Sequence, residues 1–277
     1  MYMDTEKNSN AAAVEAKMSK RLITIAGMLG SNGFRPKTVA DVGCDHGYIS
    51  IYLVQNNIAS SALAMDVRKG PLSGARANIH GYGLDDKITT RLSDGLKAID
   101  KDEADGLVIA GMGGKLMIRL LNEGKPLELG IRQAVLQPQS ELSEFRQYLR
   151  DKNYQILEER IVFEDGKYYF PMKVSFLPQG STDNSSTRDN EQNVLMIVTE
   201  RFTGELSLSE DEALSICNRF GEYNIYNKDP LLKSFCEHGK KVTASILDNL
   251  KNSGHSERFM EVQKEFEELE KVLQYLK

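Results

Sequence analysis

The spacing of apolar positions changes character along this chain of 277 residues. Up to about residue 178, short β-branched and apolar runs alternate with stretches in which apolar residues return every three or four positions. Thr38–Val42, Ser61–Asp66, Ile88–Leu92, Gly106–Ala110 and Gln133–Gln137 predict strands, and Ile49–Gln55, Leu72–His80 and Lys115–Leu121 predict helices among them. Strands that alternate with helices argue for an α/β fold, a parallel sheet covered on both faces. Ile156–Phe163 and Lys167–Phe176 flank Glu164-Asp165-Gly166, which predicts an antiparallel hairpin closing that sheet. Ahead of the first strand, Leu22, Ile25, Ala26 and Leu29 recur at helical spacing, so a short helix should pack on the sheet.

The second half is different. Residues 180–190 are polar and nearly free of apolar side chains, the composition of a linker or a long surface insertion. Beyond them the chain reads as helical. Val262, Phe266, Leu269, Val272/Leu273 and Leu276 step by three and four, and Leu231, Phe235, Val242, Ile246 and Leu250 form a looser stripe upstream. With Asn252-Ser253-Gly254 between them, the two stretches predict an antiparallel helical pair of coiled-coil type. The expected organisation is a tether over residues 1–17, an α/β domain over 18–178, a linker over 179–193 and a helical, coiled-coil domain over 194–277.

Composition narrows the class. Hydrophobic residues at 40% and charged residues at 27% exclude a collagen-like or wholly disordered chain. No run reaches the ~18 uninterrupted apolar residues of a membrane helix, and the first 20 residues lack the apolar core of a secretory signal. Cys44, Cys217 and Cys236 are too few and too scattered for a disulfide framework or a zinc site, so a cytoplasmic location is expected. The net charge of −5 comes mainly from the tail: 18 acids face 12 basic residues after residue 178. An acidic chain is not an obvious nucleic-acid binder, because phosphate neutralisation needs clustered cations.

The chemistry concentrates in Asp41-Val42-Gly43-Cys44-Asp45-His46-Gly47-Tyr48, directly after the first strand. Ligands of open α/β sheets sit beyond the carboxyl ends of the strands. Asp66 ends the second strand, where a carboxylate can accept both hydroxyls of a ribose, and Ser93-Asp94-Gly95 ends the third, where one can accept from an adenine amino group. Each acid alone could equally be a turn or cap residue; three in succession outline a nucleoside site. A dinucleotide loop would carry G-x-G-x-x-G, but here Asp45 stands where the second glycine would fall. A carboxylate repels a pyrophosphate and attracts a sulfonium, which favours S-adenosylmethionine over a nicotinamide cofactor.

The order D-x-G, acid after strand two, S-D-G after strand three and a closing hairpin resembles the class I, Rossmann-like methyltransferases. More narrowly, D-V-G-C-D-H-G-Y with V-I-A-G-M-G-G (108–114) and L-Q-P-Q (136–139) resembles the bacterial tRNA (adenine-22-N1)-methyltransferases. The resemblance implies that Asp41, Gly43 and Asp45 hold the methionine moiety, Asp66 the ribose, and Asp94 and Gly95 the adenine. Cys44, Val67 and Ser93 complete the cofactor contacts it implies, and Ala110-Gly111-Met112-Gly113 would floor the space between cofactor and target base. It implies tRNA as the partner, no membrane, and a monomer or weak dimer.

The chain departs from methyltransferases of exocyclic amines, which carry an N/D-P-P-Y/F/W run after strand four; Ala110–Gly114 offers neither an acceptor side chain nor an aromatic ring. A ring nitrogen already has an in-plane lone pair, so its methylation needs alignment more than a base. Asp45 and His46 are the candidate catalytic residues, and Gln137 either lines the base pocket through its amide or simply belongs to a strand-ending turn. Tyr48, Tyr168 and Tyr169 are candidates for stacking on a base, or for ordinary packing. Lys20, Arg21, Arg35, Lys37, Arg68, Lys69, Lys115 and Arg119 are candidate RNA contacts, or merely solubilising. Cys44, flanked by acids, should be a poor nucleophile. Methylation of another RNA position or of a small molecule, and a non-catalytic module recruiting partners through its coiled coil, remain open from the sequence.

Overall fold

The computed structural model describes residues 14–177, 193–251 and 256–277. Most of the expected tether and linker, and the Asn252-Ser253-Gly254 turn, lie outside the described residues. Two compact units emerge: residues 1–158 with 162–189, and residues 190–277 with 159–161.

The first unit is built on a seven-stranded sheet of order β3-β2-β1-β4-β5-β9-β6. Its strands are β1 (Thr38–Val42), β2 (Ser61–Asp66), β3 (Ile88–Leu92), β4 (Gly106–Met112), β5 (Gln133–Pro138), β6 (Gln155–Glu159) and β9 (Met172–Ser175). β1 to β5 run parallel, and β9 is antiparallel to β5. Helices α1 (Lys20–Leu29), α2 (Tyr48–Gln55), α3 (Lys69–Gly81), α4 (Gly114–Gly124) and α5 (Leu142–Asp151) accompany it. The central strands can be continuous apolar runs because both faces are covered: Val39, Ala40, Leu107, Val108, Ile109, Ala134, Val135 and Leu136 are fully buried. β3, at the edge, is only partly covered: it buries Ile88 and leaves Leu92 half exposed. Consecutive strands run outward from β1 to β3, then the chain returns to place β4 on the other side of β1. That reversal is the switch point at which such sheets bind ligands.

The expected hairpin is present but divided. β7 (Val162–Glu164) and β8 (Lys167–Tyr169) form a separate two-stranded ribbon, turned by Asp165 and Gly166 at φ +48° and +73°. Two positive φ values in a two-residue turn match the right-handed twist of the ribbon. The flanking segments become β6 and β9, and β9 inserts between β5 and β6. Its Lys173 is fully buried, and the ammonium donates to the backbone oxygens of Leu29 and Ser31 at the end of α1. That contact satisfies carbonyls a helix end leaves unpaired and ties α1 to the sheet.

The second unit contains α6 (Val194–Leu206), α7 (Glu210–Phe220), α8 (Glu222–Tyr226), α9 (Pro230–Leu250) and α10 (Ser256–Tyr275). α7 starts with a reciprocal Ser209–Glu212 cap, and α9 with Asp229 accepting from the Leu231 N–H ahead of Pro230. α9 and α10 pack antiparallel: Lys228 lies over the Tyr275 ring, while further along Lys240 meets Glu270 at 2.8 Å and Gly239 faces Leu269. The last helix buries Val262, Leu269, Val272 and Tyr275, with Leu276 buried just beyond its end; of the expected stripe, Phe266 is only partly buried. In α9, however, the buried stripe is Leu232, Cys236, Thr243 and Leu247, one position on from the expected one, and Val242 is exposed. Gly239 explains the shift, because the bare backbone brings the Leu269 side chain onto that side of the helix. Among the described residues no helix is long and apolar enough to cross a membrane.

Candidate functional site

The ends of β1, β2, β3 and β4 open into one cleft of about 830 Å³, lined by Asp41, Gly43, Cys44, Asp45, His46, Asp66, Val67, Ser93, Asp94, Gly95 and Ala110–Met112. Gly113, the remaining residue expected there, caps α4 immediately beyond. The turn after β1 is pinned: the Gly43 and Cys44 N–H groups both donate to the Met65 carbonyl, at 2.8 and 2.9 Å. Gly43 takes φ +80°, and a Cβ there would lie 2.5 Å from the Met112 methyl, so the turn rests directly on the floor from β4. The Ser93 N–H donates to the Asp66 carbonyl, which joins the second and third strand ends.

The acids differ in state. Asp41 is buried and accepts from the Ser50 hydroxyl at 2.7 Å. Burial raises its pKa to about 6; the Ser50 hydrogen bonds oppose that rise, and the Asp66 charge adds to it. Asp66 is 5% exposed and accepts from the Arg68 N–H at 2.8 Å, with the Arg68 guanidinium 3.6 Å away. Asp94 is clamped by Lys97 at 2.6 Å and Arg119 at 3.2 Å, which hold its carboxyl down to about 2. Glu123 pairs with the same two cations, so the four side chains form a closed ring of alternating charge. Ser93 is buried, its hydroxyl donating to the Gly95 carbonyl.

Asp45 and His46 stand at the mouth, their side chains 65% and 59% exposed and 3.8 Å apart. The His46 ring is 5.9 Å from that of Tyr48, and its carbonyl accepts from Asn78. The Cys44 thiol is pushed up, first by burial and only then by Asp41, Asp66 and Asp45. The expectation of an inert thiol therefore holds, with burial rather than charge as the main cause.

Gln137 behaves differently from the expectation that it lines a base pocket. Its amide is fully buried, accepts from Arg21 at 2.7 Å and donates to the Pro138 carbonyl at 2.9 Å. Arg21 lies over the Tyr169 ring at 5.0 Å and lines the cleft, as does Gln139. The pairing of Arg21 with Gln137 and Tyr169, and the place of Gln139, were not legible locally; they join segments more than a hundred residues apart. The second glutamine of L-Q-P-Q was the available signal. Of the cations expected near the cleft, Arg21, Arg68 and Arg119 line it, and Arg119 is committed to Asp94 and Glu123. Tyr168 packs on Phe163 across the ribbon.

Residues 18–172 match the family model described as a methyltransferase domain. The chain is 39% identical over 155 residues to the tRNA (adenine(22)-N(1))-methyltransferase of Bacillus subtilis; the match takes in 56% of this chain and 63% of that relative, less than two thirds of its length. The crystal structure of the B. subtilis m1A22 tRNA methyltransferase TrmK superposes with a TM-score of 0.71 at 28% identity, covering 92% of this chain and 98% of that one. M. capricolum TrmK in complex with S-adenosyl-homocysteine superposes at 0.72 and 25% identity, covering 94% and 99%. By sequence over the α/β unit, the chain belongs to the methyltransferase-domain family.

Proposed function

We propose that this protein transfers a methyl group from S-adenosylmethionine to N1 of an adenine in tRNA, at position 22. The observation that carries the reading is the polarity of the cleft: acids at the ends of β1, β2 and β3, and an uncharged floor of Ala110, Gly111 and Met112 at the end of β4. The donor set fits the cofactor. Asp66 has a buried carboxylate oriented by the Arg68 N–H, suited to a ribose diol, with Val67 beside it. Asp94 is ionised and oriented by two cations, suited to an adenine amino group, with Ser93 and Gly95 shaping its turn. Asp41, Gly43, Cys44 and Asp45 surround the remaining part, where a cationic amino-acid tail would lie.

When bound, S-adenosylmethionine supplies an electrophilic methyl on a sulfonium: the N1 lone pair forms the new C–N bond, the C–S pair returns to sulfur, and the positive charge passes to the ring. No proton has to move, so the chain's task is alignment and electrostatics. Asp45, exposed at the tip of the turn, faces the charge as it migrates, and His46 stands beside it at the rim. Ala110–Gly113 keep the floor low enough for a flat base. A base buried in a folded tRNA must be extruded to reach this cleft, and the helical unit serves to hold the tRNA meanwhile. The protein works in the cytoplasm as a monomer or weak dimer; its three cysteines are buried thiols outside any disulfide.

The test is transfer of labelled methyl to an unmodified tRNA transcript, beside the same transcript with guanine at position 22. N1-methyladenosine in the first alone is the expected result. Equal labelling of both refutes the position; no labelling despite cofactor binding refutes the substrate; no cofactor binding refutes the enzyme.

A further inference from the structure

The first three strand ends of the cleft carry the acids, so an incoming base must approach from the β4–β5 side. Two long polar side chains meet there over Gly111. Gly111 adopts φ +79°, and a Cβ placed on it would stand 3.6 Å from Gln139 Nε2 and 3.7 Å from an Arg21 terminal nitrogen. With hydrogen in that place, both groups overhang an uncovered patch of floor.

The two are not equivalent. Arg21 can only donate, and the nitrogen nearest Gly111 is already bonded to the buried Gln137 amide. Its plane is fixed against Tyr169, which makes it a rigid wall. Gln139 is exposed, and among the described residues its amide has no hydrogen-bond partner, while its backbone N–H is anchored to the Met112 carbonyl at 2.8 Å. A carboxamide offers one acceptor and one donor side by side, the complement of N6 and N7 of adenine.

We propose that Gln139 reads the target base, accepting from the adenine 6-amino group and donating to N7, and so leaves N1 free toward the methyl donor. This rests on the adenine-N1 reading above. It also supplies, from the end of β5, the acceptor that Ala110–Gly114 lacks at the end of β4. Guanine fails at this residue because it offers an oxygen at position 6, and fails chemically because its N1 carries a hydrogen.

The experiment measures kcat/KM of the full chain on three tRNA transcripts, with adenosine, purine riboside or 7-deazaadenosine at the target position. Wild type is compared with Gln139→Leu and Gln139→Glu, and cofactor affinity is measured by calorimetry. The expected result is that Gln139→Leu shrinks the penalty of each analogue, relative to wild type, by a factor within about 5–150. Gln139→Glu keeps the penalty for losing the 6-amino group and loses the penalty for losing N7, and cofactor affinity stays the same in all three proteins. An undiminished penalty for both analogues in Gln139→Leu overturns the assignment, as does wild-type activity of that variant on adenosine. If wild type binds cofactor but labels no transcript, the adenine-N1 reading falls and this assignment with it; if wild type labels the adenosine transcript and Gln139→Leu discriminates as wild type does, only the assignment falls.

Discussion

The two halves of the cleft use opposite chemistry on one sheet. Beyond β1, β2 and β3 each strand ends in a carboxylate, and each is stabilised differently: Asp41 by a hydroxyl under burial, Asp66 by a backbone N–H, Asp94 by two cations. At the ends of β4 and β5 no acid lines the cleft: Ala110, Gly111 and Met112 line it, together with Gln139 and Arg21. A cationic donor and a neutral base make opposite demands. Fixed negative charge lowers the free energy of the first, but it would hold positive charge in the wrong place if it surrounded the second. The sheet separates the demands because its order reverses between β1 and β4, so the two sets of strand ends lie on either side of a single turn.

That contrast can be broken from either side. The largest effect belongs to Asp66→Ala, which removes the carboxylate expected to accept two hydroxyls. Hydrogen bonds to a charged group contribute about 1.5–3 kcal/mol each, so cofactor affinity should fall roughly 1,000-fold. Calorimetry would show it, and tRNA binding by gel shift should be unchanged; a loss of both would mean that the halves are not separable. Gly111→Val does the reverse. It forces a β-branched residue to φ +79° and fills the space under Gln139 and Arg21, so kcat on tRNA should drop about 100-fold through misplacement of the base, with cofactor affinity kept. Equal loss of cofactor binding would sink the division.

The smallest effect sharpens the comparison through pH. The Asp41 carboxyl has its pKa raised to about 6 by burial, so below that pH it is protonated in the free protein and offers no charge to a cation. Above it the carboxylate is ionised, and a cationic ligand binds the ionised form better. Cofactor affinity should therefore rise about tenfold between pH 5 and pH 7 and then level, with proton release on binding at the low end. Asp41→Asn should flatten that profile across the same window. A profile as steep in the variant as in wild type would assign the proton to another group.

The helical unit shows why one part of a chain can be read and another only sketched. Strands β1 and β2 coincide with their expected spans because a doubly covered strand must be largely apolar, and the edge strand β3 does so through its β-branched residues; the limits of all three are set by the turn chemistry beside them. β9 could not be placed that way. Met172–Ser175 reads as the continuation of a hairpin, yet its position between β5 and β6 depends on which edge is open after α5 has crossed. α9 was expected with the wrong stripe buried for a related reason. A helix with apolar residues on adjacent stripes takes its buried face from its partner, and here Gly239 and Leu269 decide it.

At the site the division follows sequence distance. The gathering of the strand-end acids in one cleft was legible because each acid needs only its own strand end and the glycine or serine next to it, information contained in a few consecutive residues. The arrangement at the ends of β4 and β5 was not: Gln137 and Gln139 are alike in sequence, and only packing makes one a buried brace for Arg21 and leaves the other over Gly111. The ring of Asp94, Lys97, Arg119 and Glu123 likewise exists only once α4 lies beside the end of β3. The amino-acid order sufficed for the element types, the strand-end acids and the family, since backbone period and turn chemistry are local. The tertiary structure alone decided which polar group is satisfied inside the protein and which is left to meet a substrate, because a hydrogen bond depends on a partner within about 3 Å and not on the number of residues between.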